Sequence, residues 1–226
     1  MPGATCLTTQ NKIRLIAVEG IVKSNNTLLA KNLASVSHAR TILEEDGASP
    51  MIDLHCTDPK DLVFKKHILR LLDRYKAQKE IVQTEIFYDQ VISDYLFYAD
   101  RIYANLKLEP EEAALYDAMF NFMEKEVAIP DLVIYLQHNT DTVLEKLYAN
   151  YGIKNNLKGR SSIDENYVRK LNEEFNEFFM YFRWSPVLII NANQLKPENP
   201  KHVEDLLFKM QRPISGVIFY NPPVGV

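Results

Sequence analysis

Residues 13–33 read IRLIAVEGIVKSNNTLLAKNL, in which an apolar run, a short polar turn and a helical pattern follow one another. A loop that holds phosphate between a strand and a helix reads G-x-x-x-x-G-K-[ST]. Backbone N–H groups and a helix N-terminus surround the anion there, while one lysine reaches its outer oxygens. Gly20 and Thr27 stand at the outer positions of this pattern. The spacing therefore predicts a phosphate-binding loop between the first strand and the first helix.

The chemical positions of this loop are altered. Asn25 stands where the pattern has its second Gly, and Asn26 stands where it has the Lys. The missing ammonium is a group on which phosphoryl transfer depends. Lys23 is a cation inside the loop, but it lies three residues before the usual Lys position, so we expect it to leave the lost charge unreplaced.

Composition is typical of a globular chain of one domain. With 226 residues, of which 46% are hydrophobic and 25% charged, the chain can bury a full core. A net charge of −4 gives no reason to expect nucleic acid or a membrane as partner. Cys6 and Cys56 form no metal-binding spacing, and no apolar stretch approaches membrane-spanning length. We expect one cytoplasmic domain over residues 1–226, with flexible tails at 1–11 and 221–226.

Five short apolar runs predict buried strands of a parallel sheet, since a sheet covered on both faces gives continuous rather than alternating runs. They are Ile13–Val18, Thr41–Leu43, Glu80–Gln83, Leu132–Leu136 and Val187–Ile190. Helical patterns between and after them begin at Thr27 and near Pro200 and cover Asp61–Lys79, Tyr88–Leu106, Glu111–Val127, Thr140–Asn150 and Asp164–Phe182. This alternation predicts an α/β fold with a doubly wound parallel sheet.

The chain resembles the deoxynucleoside kinase family over nearly its whole length. Besides the loop, the resemblance rests on Asp58-Pro59, Leu71-Leu72-Asp73-Arg74-Tyr75, Pro130–Leu136, Ile163–Phe179 and Pro186–Ala192. It implies a fold like that of P-loop kinases, with five parallel strands in the order 2-3-1-4-5 and helices around them. It also implies a dimer formed through a helical interface.

The resemblance points to a general base. The family carries a Glu just after strand two, and Glu44 occupies that place. Such a carboxylate takes the proton of a sugar hydroxyl as that hydroxyl attacks the γ-phosphate of ATP. The alternative is a solvated Glu at a strand end, within an acidic cluster that includes Glu45 and Asp46.

Other functional positions of the family are altered. Its acid-Arg-Ser motif at the end of strand three corresponds to Thr84-Glu85-Ile86, so Glu85 reverses the charge of the Arg. Lys146 keeps one charge of the arginine-rich lid over the phosphates. His67 stands where the family has a base-reading Gln, and Cys56 where it has a sugar-orienting Tyr. His67 can exchange a hydrogen bond with a base, or it is a helix residue without a ligand.

Three functional hypotheses remain. The first is a protein that has lost phosphoryl transfer and acts without a cofactor as a structural or regulatory partner. We favour it because so many charged positions differ from the family's pattern at once. It would form a homodimer, or bind a kinase paralogue or a larger assembly. The second is an active nucleoside kinase that uses ATP and Mg²⁺, with Glu44 as base, Thr27 as metal ligand and Lys23 or Lys146 as phosphate-binding cation. The third is a module that holds a nucleoside in the cleft without phosphorylating it.

Overall fold

The computed structural model describes residues 13–22, 24–44, 60–84, 88–150 and 163–223. These residues form one sheet of six strands in the order β2-β3-β1-β4-β5-β6, and every neighbouring pair is parallel. The strands are β1 (Leu15–Gly20), β2 (Arg40–Ile42), β3 (Val91–Ser93), β4 (Leu132–Gln137), β5 (Val187–Asn191) and β6 (Val217–Tyr220). The predicted fold class and the predicted order of the first five strands are confirmed.

Helices cover both faces of the sheet. They are α1 (Asn26–Ser37), α2 (Lys60–Thr84), α3 (Asp100–Lys107), α4 (Pro110–Met123), α5 (Thr140–Asn150), α6 (Glu165–Tyr181) and α7 (Pro200–Met210). Successive side chains of a strand lie on opposite faces of the sheet. Ile134 accordingly packs with α1 and α7, while Val133 and Tyr135 pack with α2 to α6. No helix in the described ranges is long and apolar enough to cross a membrane.

The predicted third strand is wrong. Residues Glu80–Gln83 form the end of α2, and the third strand is Val91–Ser93 instead. Ile81 is buried at helical spacing from Arg74 and Gln78, so it continues the inner stripe of a helix. The helix predicted from Tyr88 accordingly begins later, as a 3₁₀ turn at Phe97–Ala99 that leads into α3.

A sixth strand lies at the edge beyond the predicted five. Gly216 adopts a φ of 64°, which only Gly adopts without cost, and the chain then pairs Val187 with Val217 and Ile190 with Tyr220. This strand is half-exposed rather than buried. It extends the sheet beyond β5, so the carboxyl edge of the sheet is one strand wider than in the predicted five-stranded sheet.

Asp131 ties β1 to β4 at the amino ends of these two strands. Its carboxylate accepts hydrogen bonds from the backbone N–H groups of Arg14 and Leu15 at 2.7 and 2.9 Å. The bonds tie the first residues of β1 to the start of β4. The end of β1 and the first turn of α1 lie at the opposite, carboxyl edge of the sheet, where ligands of open α/β sheets bind.

Candidate functional site

A cleft of about 310 Å³ opens at the carboxyl ends of β1, β2 and β3, beside the first turn of α1. Its lining comprises residues 19–22 and 24–28 of the loop together with Glu44, Arg74, Asp94 and Tyr103. The structure thus brings the predicted base position and the predicted phosphate loop to one cavity.

The loop keeps its turn, and two of its side chains pack closely against Gly20. Asn25 adopts φ 66° and ψ 30°, a left-handed conformation that Asn tolerates better than most residues, so it makes the turn in place of Gly. The Ser24 hydroxyl donates to the carbonyl of Ile21. A Cβ placed on Gly20 would lie 2.8 Å from Ser24 Cβ and 3.0 Å from Asn26 Oδ1. The space over Gly20 is therefore occupied by these two side chains.

Asn26, at the position of the missing Lys, points back into the loop. Its Nδ2 lies 3.4 Å from Glu19 Oε1 and 3.3 Å from the carbonyl of Gly20. Glu19 is buried and accepts the backbone N–H groups of Gly20 and Leu96 at 2.9 and 2.8 Å. Burial raises the pKa of Glu19 to about 7, although Arg74 and these N–H groups favour the carboxylate. The residue in the lysine's place thus contacts a carboxyl group and supplies no charge.

Arg74 is the guanidinium of the cleft lining, and it is neutralised by carboxylates. It binds Glu44 Oε1 at 2.8 Å and Asp100 Oδ1 at 3.1 Å, and it stacks over the ring of Tyr95 at 4.7 Å. Burial disfavours the charged form, but Glu44, Asp100 and Glu19 hold the pKa of Arg74 well above its ordinary value. Arg74 therefore stays positively charged, and its charge is balanced by carboxylates inside the protein.

Asp100 is the centre of this buried ion network. Its oxygens accept from Arg70 Nε at 2.7 Å and from the Tyr116 hydroxyl at 2.6 Å, besides the contact with Arg74. Burial alone would raise the pKa of Asp100, but Arg70 and Arg74 hold it below the ordinary value. His67 lies behind Arg70, with Nδ1 3.2 Å from the guanidinium, and burial lowers the pKa of His67 to about 3.

The hydroxyl of Thr27 and the carboxylate of Asp94 are in contact, at the point where the phosphate loop lies beside the end of β3. The Thr27 hydroxyl donates to Asp94 Oδ2, and the backbone N–H of Glu44 donates to Asp94 Oδ1 at 2.8 Å. Burial raises the pKa of Asp94. No group of three or more His, Cys, Asp or Glu side chains placed to hold a metal ion occurs in the part of the chain that the structure describes.

Lys146 contacts His138, and His138 contacts the loop. Its Nζ lies 3.5 Å from His138 Nε2, and the His138 ring also contacts Asn193 and the backbone of Ser24. Burial, followed by the charge of Lys146, lowers the pKa of His138 to about 4, and burial lowers the pKa of Lys146. A neutral imidazole therefore stands between this cation and the loop.

The predicted site residues divide into three groups. Gly20, Asn25, Asn26, Thr27 and Glu44 line the cleft together. His67 and Lys146 lie outside that lining, in the positions described above. Lys23, Cys56 and Glu85 fall outside the described residues. Because strand three ends at Ser93, the residues at its end are Ser93, Asp94 and Tyr95 rather than the predicted Thr84-Glu85-Ile86, and these three include no Arg.

Sequence reasoning missed the charged residues that shape this cleft, namely Glu19, Arg70, Arg74, Asp94 and Asp100. A signal existed for two of them, because Arg70 and Arg74 share a helical stripe with buried Leu71, Gln78 and Ile81. Charged residues on a core-facing stripe require partners. Asp94 gave no such signal, since it follows a strand of three residues.

Comparison with known sequences places this arrangement in a family. The family model for deoxynucleoside kinase matches residues 16–215. A deoxyadenosine kinase of Dictyostelium discoideum is 23% identical over 92% of this chain and 83% of its own length. A deoxyguanosine kinase of Bacillus subtilis is 25% identical over 61% of this chain and 67% of its own length.

A solved structure agrees with the fold. The deoxyadenosine kinase of M. mycoides with bound dATP superimposes with a TM-score of 0.65 at 19% identity, over 88% of this chain and all of the other. At that identity the likeness bears on the fold alone. The match of the family model covers nearly the whole chain, including the loop, the cleft and β4 to α7. This chain is therefore a member of the deoxynucleoside kinase family.

Proposed function

We propose that this chain is a family member that has lost phosphoryl transfer and acts as a structural or regulatory partner subunit. The observation that supports it most is the state of the loop. Asn26 stands in the place of the Lys and turns towards Glu19, and the guanidinium of Arg74 is bound to Glu44 and Asp100.

The electrostatics of the cleft argue against a triphosphate. Among the described residues of its lining, Glu19, Glu44 and Asp94 present carboxyl groups to the cavity, and Arg74 presents one guanidinium that is already paired. Phosphoryl transfer relies on positioning and on positive charge around the γ-phosphate. Loss of one such contact commonly costs a factor of about 10² in rate, roughly 3 kcal/mol in the barrier. The described residues therefore do not fit ATP, and we derive no catalytic step through it.

Titration with ATP and Mg²⁺ tests this proposal. We expect no heat of binding up to millimolar ATP and no transfer of phosphate to any deoxynucleoside. The Dictyostelium discoideum deoxyadenosine kinase, measured under the same conditions, serves as the positive control. Micromolar affinity would contradict the proposal, because it would show that the loop opens and that its backbone N–H groups still surround phosphate.

A partner role is supported by an exposed apolar stripe on α4. Leu115, Ala118 and Phe122 lie at helical spacing on its outer face, and Leu115 and Phe122 are 53% and 66% exposed. Large side chains that recur on one solvent-facing stripe mark interaction surfaces more often than isolated ones do. We place the partner contact, to a second copy or to another kinase-like subunit, on this stripe.

Replacing Leu115 and Phe122 together by Ser should weaken the association more than tenfold, because large interface side chains carry much of the binding free energy. Sedimentation velocity of the purified protein measures the effect. Val36→Ser, an exposed apolar residue on α1, is the matched control and should leave the sedimentation unchanged. A wild-type chain that sediments as a monomer with no co-purifying partner would contradict the partner role.

One observation favours a second candidate, an active nucleoside kinase with an atypical loop. Thr27 and Asp94 place a hydroxyl and a carboxylate side by side, which is the oxygen chemistry that Mg²⁺ prefers, and Glu44 lies in the same cavity. If turnover is detected, Glu44→Gln should reduce it about 10²-fold or more, as expected for loss of a general base. Turnover unaffected by this change would remove Glu44 from that role.

A further inference from the structure

Strand β6 forms one edge of the sheet and pairs with β5 on its inner side only. The carbonyl of Gly216 accepts from the N–H of Val187 at 2.9 Å, and the parallel ladder continues through the backbone of Ile218. Because successive residues of a strand direct their backbone groups to opposite sides, the N–H and C=O groups of Val217 and Phe219 point away from β5. Within the described ranges these outward groups take part in no hydrogen bond.

The side chains of β6 are only partly covered. Ile218 packs on the face of the sheet that α1 and α7 cover, and Val217 packs on the face that α6 covers. Phe219 lies on the same face as Val217 and is 57% exposed. Strands β4 and β5, which have neighbours on both sides, are buried along almost their whole length. The outer edge of β6 is therefore open in the part of the chain that the structure describes.

The two edges of the sheet differ in the charge they carry. Strand β2, at the opposite edge, contains Arg40, which pairs with Glu80 of α2 at 3.3 Å. Residues 214–221, which include β6, contain no charged residue. Edge strands are kept from pairing with another chain by charged side chains, by proline, by bulges or by a covering segment. Strand β6 contains neither a charge nor a proline, so its edge is a template for a further strand.

A second copy of β6 fits this edge. In an antiparallel pair, the residues that exchange hydrogen bonds lie directly opposite one another. Val217 of each copy can therefore face Phe219 of the other, which gives four hydrogen bonds around a twofold axis at Ile218. The same register places each exposed ring beside a valine, and aromatic and β-branched side chains stabilise neighbouring strands in this arrangement. No like charges meet, because the strand carries none.

Antiparallel pairing is the orientation that a twofold axis produces, and such a contact closes at two copies because each copy supplies its β6 edge. We propose that β6 pairs with β6 of a second copy in this way, so that one sheet runs through both copies. The contact goes beyond the partner role proposed above. The α4 stripe belongs to a helix that packs against α2 and α3, whereas β6 lies beyond β5.

Sedimentation velocity of the variant that carries both Leu115→Ser and Phe122→Ser tests the pairing in a chain that lacks the α4 stripe. From micromolar to near-millimolar concentration we expect a reversible dimer. Adding Phe219→Pro should weaken it about tenfold or more, because two of the four hydrogen bonds and both rings are lost. The N–H that proline removes points away from β5, so the ladder within the chain is kept. Phe208→Ala on α7 removes a ring of similar exposure, 56%, and should leave the dimer unchanged.

Amide hydrogen exchange of the same chain without Phe219→Pro tests the register. The N–H groups of Val217 and Phe219 should exchange more slowly as the concentration rises. Those of Ile218 and Tyr220 should be protected at every concentration, because they bind β5. This measurement needs no change in β6, so it decides the question even where Phe219→Pro does not fold.

Three results would overturn the pairing. The first is a monomer at every concentration. The second is a dimer that Phe219→Pro leaves intact. The third is protection of Val217 and Phe219 that does not vary with concentration, since a segment of the same chain would then cover the edge. Each result is independent of α4, so failure of the partner contact on α4 and failure of this pairing are distinguishable.

Discussion

Asp100→Ala should lower the free energy of unfolding by about 3 to 5 kcal/mol, the range found when one partner of a buried ion pair is removed. Asp100 has no exposed surface and is the carboxylate shared by Arg70 and Arg74. Its removal takes the 2.7 Å ion pair from Arg70 and the 3.1 Å ion pair from Arg74, and both guanidinium groups are buried. It also leaves the Tyr116 hydroxyl without its acceptor.

Urea unfolding of the wild type and the variant measures this loss. Asp141→Asn is the matched control, because Asp141 also pairs with an arginine, Arg169 at 3.2 Å, but both side chains are exposed. An exposed pair contributes about 0 to 1 kcal/mol, so this variant should lie close to the wild type. If Asp100→Ala costs as little as Asp141→Asn, water reaches the guanidinium groups and the network is not a buried one.

The network explains why the cleft carries so little free positive charge. Arg70 and Arg74 lie on the inner stripe of α2, and each is committed to Asp100. The interior can hold these cations only with carboxylates beside them, because an isolated buried charge is too costly. The same contacts that stabilise the fold thereby remove Arg74 from reach of an anionic ligand.

The long elements could be predicted from the sequence. Strands β1, β4 and β5 are buried on both faces, so each is a continuous apolar run, and α5 has the predicted bounds Thr140–Asn150. Strand β3 was not found in this way, because its residues, Val91–Ser93, fell within the helical pattern expected over Tyr88–Leu106. The third strand was predicted at Glu80–Gln83 instead, within α2, where Ile81 is buried on the inner stripe of the helix.

The sequence predicted which loop and which glutamate line the candidate site, but it did not predict the ion pairs that neutralise the charges there. Gly20, Thr27 and Glu44 were found from spacing and resemblance, and they do line one cavity. The pairing of Arg74 with Glu44 and Asp100 brings together α2, the end of β2 and the start of α3. Such pairings depend on packing between distant segments, and a single sequence records the residues without recording which ones meet.

The second large effect concerns pH and Glu19. Its pKa is raised from 4.5 in the unfolded chain to about 7 in the fold, chiefly by burial. The folded state therefore binds the proton more tightly than the unfolded state does. The stability that this gives is fully present below pH 4.5 and is lost as pH rises through 7. From the difference between the two pKa values, the loss amounts to about 3 kcal/mol.

Unfolding of the wild type and of Glu19→Gln from pH 4.5 to 8 tests this expectation. The amide cannot ionise, so the wild type should lose about 3 kcal/mol relative to the variant across that range. His67 and His138, whose pKa values are lowered by burial, contribute the opposite trend, but they do so in both proteins and cancel in the difference. Parallel curves would show that Glu19 has the same pKa in the folded and unfolded chain, and would contradict the expectation. A loss of about 3 kcal/mol by the wild type relative to the variant would mean that, above pH 7, the loop gains a negative charge beside Asn26, where a phosphate-binding loop needs a positive one.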